Sequence, residues 1–395
     1  MNPLVGMKVL DLTDGNGYVT VMLADYGAEV VKIERPGVGD SNRKLGPQKD
    51  GEGIYQPYYN RGKKSVTLDL EQPEGREILR KMVPNFDVVV ENMPLGKMES
   101  LGLGYEELEK LNPKLVYGSI TGWGTKGPWK DYPAVDLLVQ AKTGFISFTG
   151  FPEKPSVIGY PVAVFYAANY LAAGIVAACT YAEETGIGQK VEVSLWESLL
   201  SVHEDKLLTH FIVNDSIKRI GNSYPTVQPT ETYKCKDGWF SLSVGTDKHW
   251  ADLCREMGWN DLAEVERYKY DPDRSMKYYW GDLEVELKKR YAEVTLEEAD
   301  MGCRRAMVPG GPVNTIKELL VDEQVAVHKM LLEVDDPRYG KILQLGKNKK
   351  YHQDNEHDDE LKPAPTLGQN NDEIFIGLLG MSEAELSALK AKNVI

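Results

Sequence analysis

Asp136 stands in "YPAVDLLVQAKTG", a lone acid inside an otherwise apolar segment. A carboxylate in such surroundings can have a raised pKa and act as a nucleophile or general base, whereas one that caps a helix looks the same in sequence. Pattern alone leaves both readings open. Two further clusters carry residue types suited to phosphates. The turn "DGNG" (Asp14 to Gly17) follows an apolar run, so Gly15, Asn16 and Gly17 could cradle a phosphate at a helix N-terminus. It lacks GxGxxG spacing, and a plain strand-to-helix turn fits equally well. In "YNRGKKSVTLDL", Arg61, Lys63 and Lys64 precede a strand and could hold phosphates, although a solvated basic loop is the simpler reading. Asp11 and Glu34 end consecutive strand-like runs, where acids are commonly solvated or cap a neighbouring helix.

Other chemistries lack their signatures. The six histidines show no metal-ligand spacing, and the heptad between His203 and His210 reads as incidental. Cys179, Cys235, Cys254 and Cys303 form no CxxC pair, so neither a zinc site nor a disulfide framework is expected. No GxSxG or HExxH occurs. Acidic residues outnumber basic ones, 60 to 46, for a formal net charge of −14. That balance argues against broad nucleic-acid binding but leaves room for a local basic pocket.

These side chains must be positioned by a chain of 395 residues, long enough for two domains. "MKVLD", then a glycine turn, a helix and "AEVVKIE" make a βαβ unit of Rossmann-like length. "KSVTLDL", the helix "PEGREILRKMVPN", "DVVVEN", "YEELEKLN" and "KLVYGSI" continue the alternation, which predicts a parallel sheet covered by helices. The stretch "IGYPVAVFYAANYLAAG", Ile158 to Gly174, has no charged residue. It contains Pro, Gly and Asn, and Glu183 and Glu184 follow, so it reads as a buried helix rather than a membrane span. The start "MNPLVGMKVLDLT" has no cationic segment before an apolar run, and a cytoplasmic protein without membrane partners is expected. After Ser223, "PTETYKCKDGWFSLSVG" reads as an antiparallel hairpin. "GKILQLG" reads as a late strand, "HQDNEHDDE" as a solvated loop, and "PAPTLGQNNDEIFIGLLG" as a loop entering a C-terminal helix. The expected fold is α/β: a Rossmann-like large domain from residues 1–200 and 340–395, a small α+β domain at 215–325, and linkers at 201–214 and 326–339.

Six segments, read together, resemble the class III CoA-transferases, the formyl-CoA, carnitine and bile-acid CoA-transferase family. They are "LADYGAEVVKIERPGVGD", "NRGKKSVTLDLEQPEGREI", "VVVENMPLGKMESLGLGYEELEKLNPKLVYGSITGWGTKGP", "TGIGQKVEVSLWE", "YKCKDGWF" and "VPGGPVNTIKEL", in the family's order. The resemblance implies a Rossmann-like domain built from both chain ends, an interlocked dimer, and transfer of CoA from a donor thioester to a carboxylate. In that chemistry an aspartate forms anhydride and thioester intermediates, splitting one difficult exchange into easier steps.

Counting back from "TGIGQ" puts the family's aspartate at Val164 and a following glycine at Ala168. Valine has no nucleophilic atom. The "DGNG" turn is about two residues short by the same comparison and lacks an "AGP" element that borders CoA. Arg35 matches a CoA-contacting position and Lys97 lies beside one. Gly15, Asn16, Gly17, Leu68, Asn92 and Met93 complete the expected contacts. Glu71 and Ser100 stand where some relatives present a base. The resemblance therefore implies a non-catalytic subunit working with a related, Asp-containing chain. Some members, such as the succinyl-CoA:benzylsuccinate CoA-transferases of anaerobic aromatic degradation, are built from two related chains. Coenzyme A or acyl-CoA is the expected substrate, bound by this chain or by the partner alone, with no metal. The alternatives are an active transferase or racemase using Asp136, and a non-enzymatic binding homologue.

Overall fold

The computed structural model describes residues 2–204, 206–213, 218–224, 227–275, 277–349, 351 and 360–395. Two compact units emerge. Met1–Thr143, Gly159–Glu204 and Glu323–Ile395 form the larger, and Gly144–Ile158 with Asp205–Asp322 the smaller. Residues 144–158 thus lie outside the large unit, where the sequence reading put them, and 326–339 lie within it rather than in a linker. "HQDNEHDDE" falls almost entirely outside the described residues.

The larger unit is built on six parallel strands: β1 (Lys8–Asp11), β2 (Glu29–Glu34), β3 (Lys64–Thr67), β4 (Val88–Glu91), β5 (Val116–Thr121) and β6 (Lys190–Ser194). Their order is β3-β2-β1-β4-β5-β6. The order reverses between β1 and β4, where a doubly wound sheet opens a crevice beyond its strand ends. The runs are apolar on both faces because both faces are covered. On one side Val9, Val30, Val88 and Val116 meet Ala168, Leu171, Ile175 and Ala178 of the long helix Val162–Thr185. On the other, Leu10, Val31 and Val89 meet Leu79, Met82, Ile374 and Phe375. Each fully buried side chain of this size contributes about 1.5–3 kcal/mol.

The long helix is apolar and long enough to cross a membrane by composition. Here it is a core helix, its inner face part of the sheet's own apolar cluster. Gly118 lets it approach closely: a Cβ there would lie 3.0 Å from Ile175 Cδ1.

"GKILQLG" does form a strand, Gly340–Leu345, but it pairs antiparallel with Leu331–Asp336 instead of joining the main sheet. The free edge of β3 is occupied by asparagines. Ser65 N and Thr67 N donate to Asn370 Oδ1 and Asn371 Oδ1 at 3.0 and 2.9 Å. Two side-chain amides thus satisfy the edge donors and blunt strand addition there. The C-terminal segment belongs to the core through Phe375, Leu386 and Ile395.

In the smaller unit, Thr230–Lys234, Trp239–Ser243 and Gly310–Pro312 make an antiparallel sheet. Tyr233, Phe240, Trp250 and Tyr291 form its core, with Tyr233 and Tyr291 stacked at 4.6 Å.

Candidate functional site

The strand ends of the larger unit carry a buried charge network. Asp11, at the end of β1, accepts from Lys63 Nζ at 2.8 Å and Thr20 Oγ1 at 2.7 Å, with Lys32 Nζ at 3.5 Å. Lys32 also bonds Thr13 O and pairs with Asp40 at 2.9 Å. Burial alone would push the Asp11 carboxyl up, but the Lys32 and Lys63 ammonium groups hold it far below the usual range. Burial and the neighbouring Lys32 keep the Lys63 ammonium below its ordinary value. At the end of β2, Glu34 takes a bidentate pair from Arg43, 2.7 Å on each oxygen, plus Ser65 Oγ and Asp40 N. Despite its burial, these donors hold its carboxyl below the ordinary value.

These contacts settle several open readings. Asp11 and Glu34 are buried and ion-paired rather than solvated. Arg61 forks onto Asp25 at 3.0 and 2.6 Å, and Lys64 pairs with Glu29 and Glu373. The run Arg61, Lys63, Lys64 is therefore neither a phosphate cluster nor a free basic loop: each of the three pairs with different carboxylates. The partners Lys32, Asp40 and Arg43 went unnoticed in sequence. The only local sign was the helix-capping pattern at Asp40, whose side chain accepts from Asn42 N.

The glycine turn is pinned from several sides. Asp14 N and O bond the Asn92 side chain at 2.8 and 3.0 Å, and Gly15 N donates to Asp40 Oδ2 at 3.2 Å. A Cβ on Gly17 would lie 3.0 Å from Thr13 Oγ1 and 3.1 Å from Lys63 Nζ, so no side chain fits there without displacing the network. The turn's first amides already have partners, which removes much of its capacity to cradle a phosphate. Asn92 acts on the turn rather than on the space beyond it.

That space is a cavity of about 510 Å³ beyond the ends of β1, β2, β3 and β4. Arg35, Leu68, Met93 and Lys97 line it, as do Glu71 and Ser41, whereas Gly15, Asn16, Gly17 and Asn92 do not. Lys97 Nζ sits 2.6 Å from Glu71 Oε1. Ser100 is turned elsewhere, its hydroxyl on the Lys97 carbonyl at 2.7 Å. At the end of β4, Glu91 accepts from Met93 N at 2.7 Å and holds the segment lining this cavity; burial pushes its carboxyl up.

The second region is the first turn of the long helix. Val164 is 6% exposed, and its amide donates to Asp136 Oδ2 at 3.1 Å. Gln140 Nε2 occupies Asp136 Oδ1 at 2.7 Å. Asp136 therefore satisfies one of the donors a helix leaves open at its start. Of its two sequence readings, the cap is the one with a partner. Phe165 follows Val164 and meets Tyr18 edge-on at 4.6 Å, while Tyr18 stacks on Tyr58 at 5.9 Å. Ala168 is fully buried one turn on. His203 and His210 fall in different units. Among the described residues, no group of three His, Cys, Asp or Glu side chains is placed to hold a metal.

Residues 4–371 match the sequence profile of CoA-transferase family III. The chain belongs to this family. It is 33% identical to the succinyl-CoA–D-citramalate CoA-transferase of Chloroflexus aurantiacus, over all of this chain and 98% of that one. An acetyl-CoA:oxalate CoA-transferase of Acetobacter aceti is 35% identical over 84% of this chain and 86% of its own. Among solved structures, a CAIB/BAIF family protein from Brucella suis superposes with a TM-score of 0.84 at 30% identity, covering 95% of this chain and 99% of that one. The curated relatives are named as CoA-transferases, and the CAIB/BAIF family protein shares this chain's fold.

Proposed function

We propose that this chain is the non-catalytic subunit of a two-chain CoA-transferase, moving CoA between an acyl-CoA and a carboxylate beside a related chain that supplies the aspartate. The observation that carries it is at the first turn of the long helix. Where the family resemblance calls for a nucleophile stands Val164, apolar and nearly buried, and both oxygens of the nearby Asp136 are engaged. A side chain without a nucleophilic atom cannot form an acyl anhydride. The fold that would present CoA is intact, which fits a role in assembly and ligand positioning.

The test is co-expression with an Asp-containing homologue encoded nearby, followed by transferase assays of each chain alone and of the complex. Activity only in the complex, abolished by changing the partner's aspartate, supports the reading. Turnover by this chain alone, lost in Asp136→Asn, would overturn it in favour of a displaced nucleophile.

A further inference from the structure

The strand-end cavity has an unusual charge balance for a site that takes nucleotides. Its walls suit a heterocycle: Leu12, Ile33, Leu68 and Met93 come from four strand ends and Met98 from the short helix after β4, and the thioethers adapt to flat ligands. Its cations are Arg35 and Lys97, but Lys97 is held by Glu71 at 2.6 Å. The lining acids Glu34 and Asp40 are cancelled from behind by Arg43 and Lys32. Asp14 and Asp69 accept neutral donors, Ser41 N on the first and Glu71 N and Gln72 Nε2 on the second. With Lys97 paired, Arg35 shares the lining with these two acids.

We infer that the Glu71–Lys97 pair makes this cavity indifferent to added phosphate: it takes an adenosine moiety, with affinity that does not rise as phosphates are added. The inference rests on reading the cavity as the nucleotide end of a CoA site, and it makes Glu71 a specificity-determining residue. CoA carries a 3′-phosphate in addition to its diphosphate, so a chain with this pair holds CoA weakly. Both side chains of the pair are substantially exposed, so it contributes little to folding and its removal leaves the fold in place.

The experiment titrates the full chain and its Glu71→Gln variant with adenosine, adenosine 5′-phosphate and adenosine 3′,5′-bisphosphate by calorimetry at low salt. In the wild type the three affinities stay within about threefold of one another. In Glu71→Gln the bisphosphate tightens about five- to tenfold relative to adenosine, on the order of one freed unit charge near the surface. Adding Lys97→Met to that variant returns the series to flat, and added salt shrinks the gain. A wild type that already binds the bisphosphate far more tightly than adenosine, or a Glu71→Gln ratio unchanged within about twofold, overturns the inference while leaving the nucleotide site standing. Failure of all three ligands to bind either protein overturns the nucleotide reading itself, and the inference with it.

Discussion

The ends of β1 to β3 and the first turn of the long helix belong to the same unit but are built oppositely. At the strand ends Asp11, Lys32, Lys63, Asp40, Glu34 and Arg43 are all buried and all matched. At the helix start the side chains that follow Pro161 are apolar, and the nearest carboxylate is spent on a backbone amide. The first region lines a cavity beyond the strand ends; the second is where the family resemblance places covalent chemistry. The cavity's framework and the position the resemblance gives to the nucleophile therefore sit on different elements. One can be lost while the other is preserved, because the buried network is also what holds the glycine turn.

The sharpest way to break this contrast is an activity measurement. The isolated chain is expected to show more than about a thousandfold less CoA transfer than its complex with an Asp-containing partner, the scale on which losing a nucleophile registers. Hydroxylamine should release no acyl hydroxamate from it. Acyl adducts on this chain, located by mass spectrometry, would show that the helix start is not silent.

Next in size are changes to the strand-end network. Asp11→Asn leaves Lys63 buried without its counter-charge while Lys32 keeps Asp40, and a loss of about 3–5 kcal/mol is expected in urea unfolding. The pH dependence has a definite sign. Asp11 and Glu34 have folded values below their ordinary 3.8 and 4.5, so their stabilisation is present above those values and is lost as pH falls below about 4. Wild-type unfolding midpoints should therefore drop steeply below about pH 4, and more shallowly in Asp11→Asn. Parallel acid limbs in the two proteins would remove Asp11 from the account.

The two regions also differed in legibility. The sheet could be read because each parallel strand is a short, continuous apolar run between turn signals, and the long helix because its uncharged length has few other uses in a folded chain. What escaped was pairing across distance. Lys63 meets Asp11 52 positions away, so a basic triplet looked like a loop. Asp136 meets the amide of Val164 28 positions on, so cap and nucleophile were indistinguishable until the helix start was located. "GKILQLG" announced a strand but not its partner, because alternation specifies a face and not an edge. Leu68 and Met93 proved to line the cavity, whereas Asn92, adjacent to Met93, faces the glycine turn. Neighbouring residues at the end of a strand point apart, and sequence spacing does not say which one faces the crevice.

A smaller effect is expected from Val164→Asp, which sharpens the comparison from the helix side. The new carboxylate would be nearly buried, close to the charge of Asp136. Burial and like charge both raise its pKa, so a destabilisation of about 1–3 kcal/mol should appear near neutral pH and shrink as the solution is acidified toward its raised value. Activity of the isolated chain is not expected to return, since Ala168 and the short glycine turn are unchanged. Recovery of turnover by this single change would mean the rest of the site had survived.

The smallest effect concerns Asp136 itself, and it separates a cap from a catalytic acid. As a cap, Asp136 supplies one charged acceptor to Val164 N in a partly exposed place, so Asp136→Ala should cost about 1 kcal/mol of stability. Asp136→Asn keeps an acceptor oxygen and should recover roughly half of that loss. A nucleophile or general base behaves otherwise. Asparagine would then be as inactive as alanine, and the defect would appear in kcat of the complex rather than in the unfolding midpoint. Measuring both variants by urea unfolding and by transferase assay of the complex decides between them. Graded stability with unchanged kcat leaves Asp136 as the clamp on the helix start, and equal loss of kcat in both would make it the reacting group.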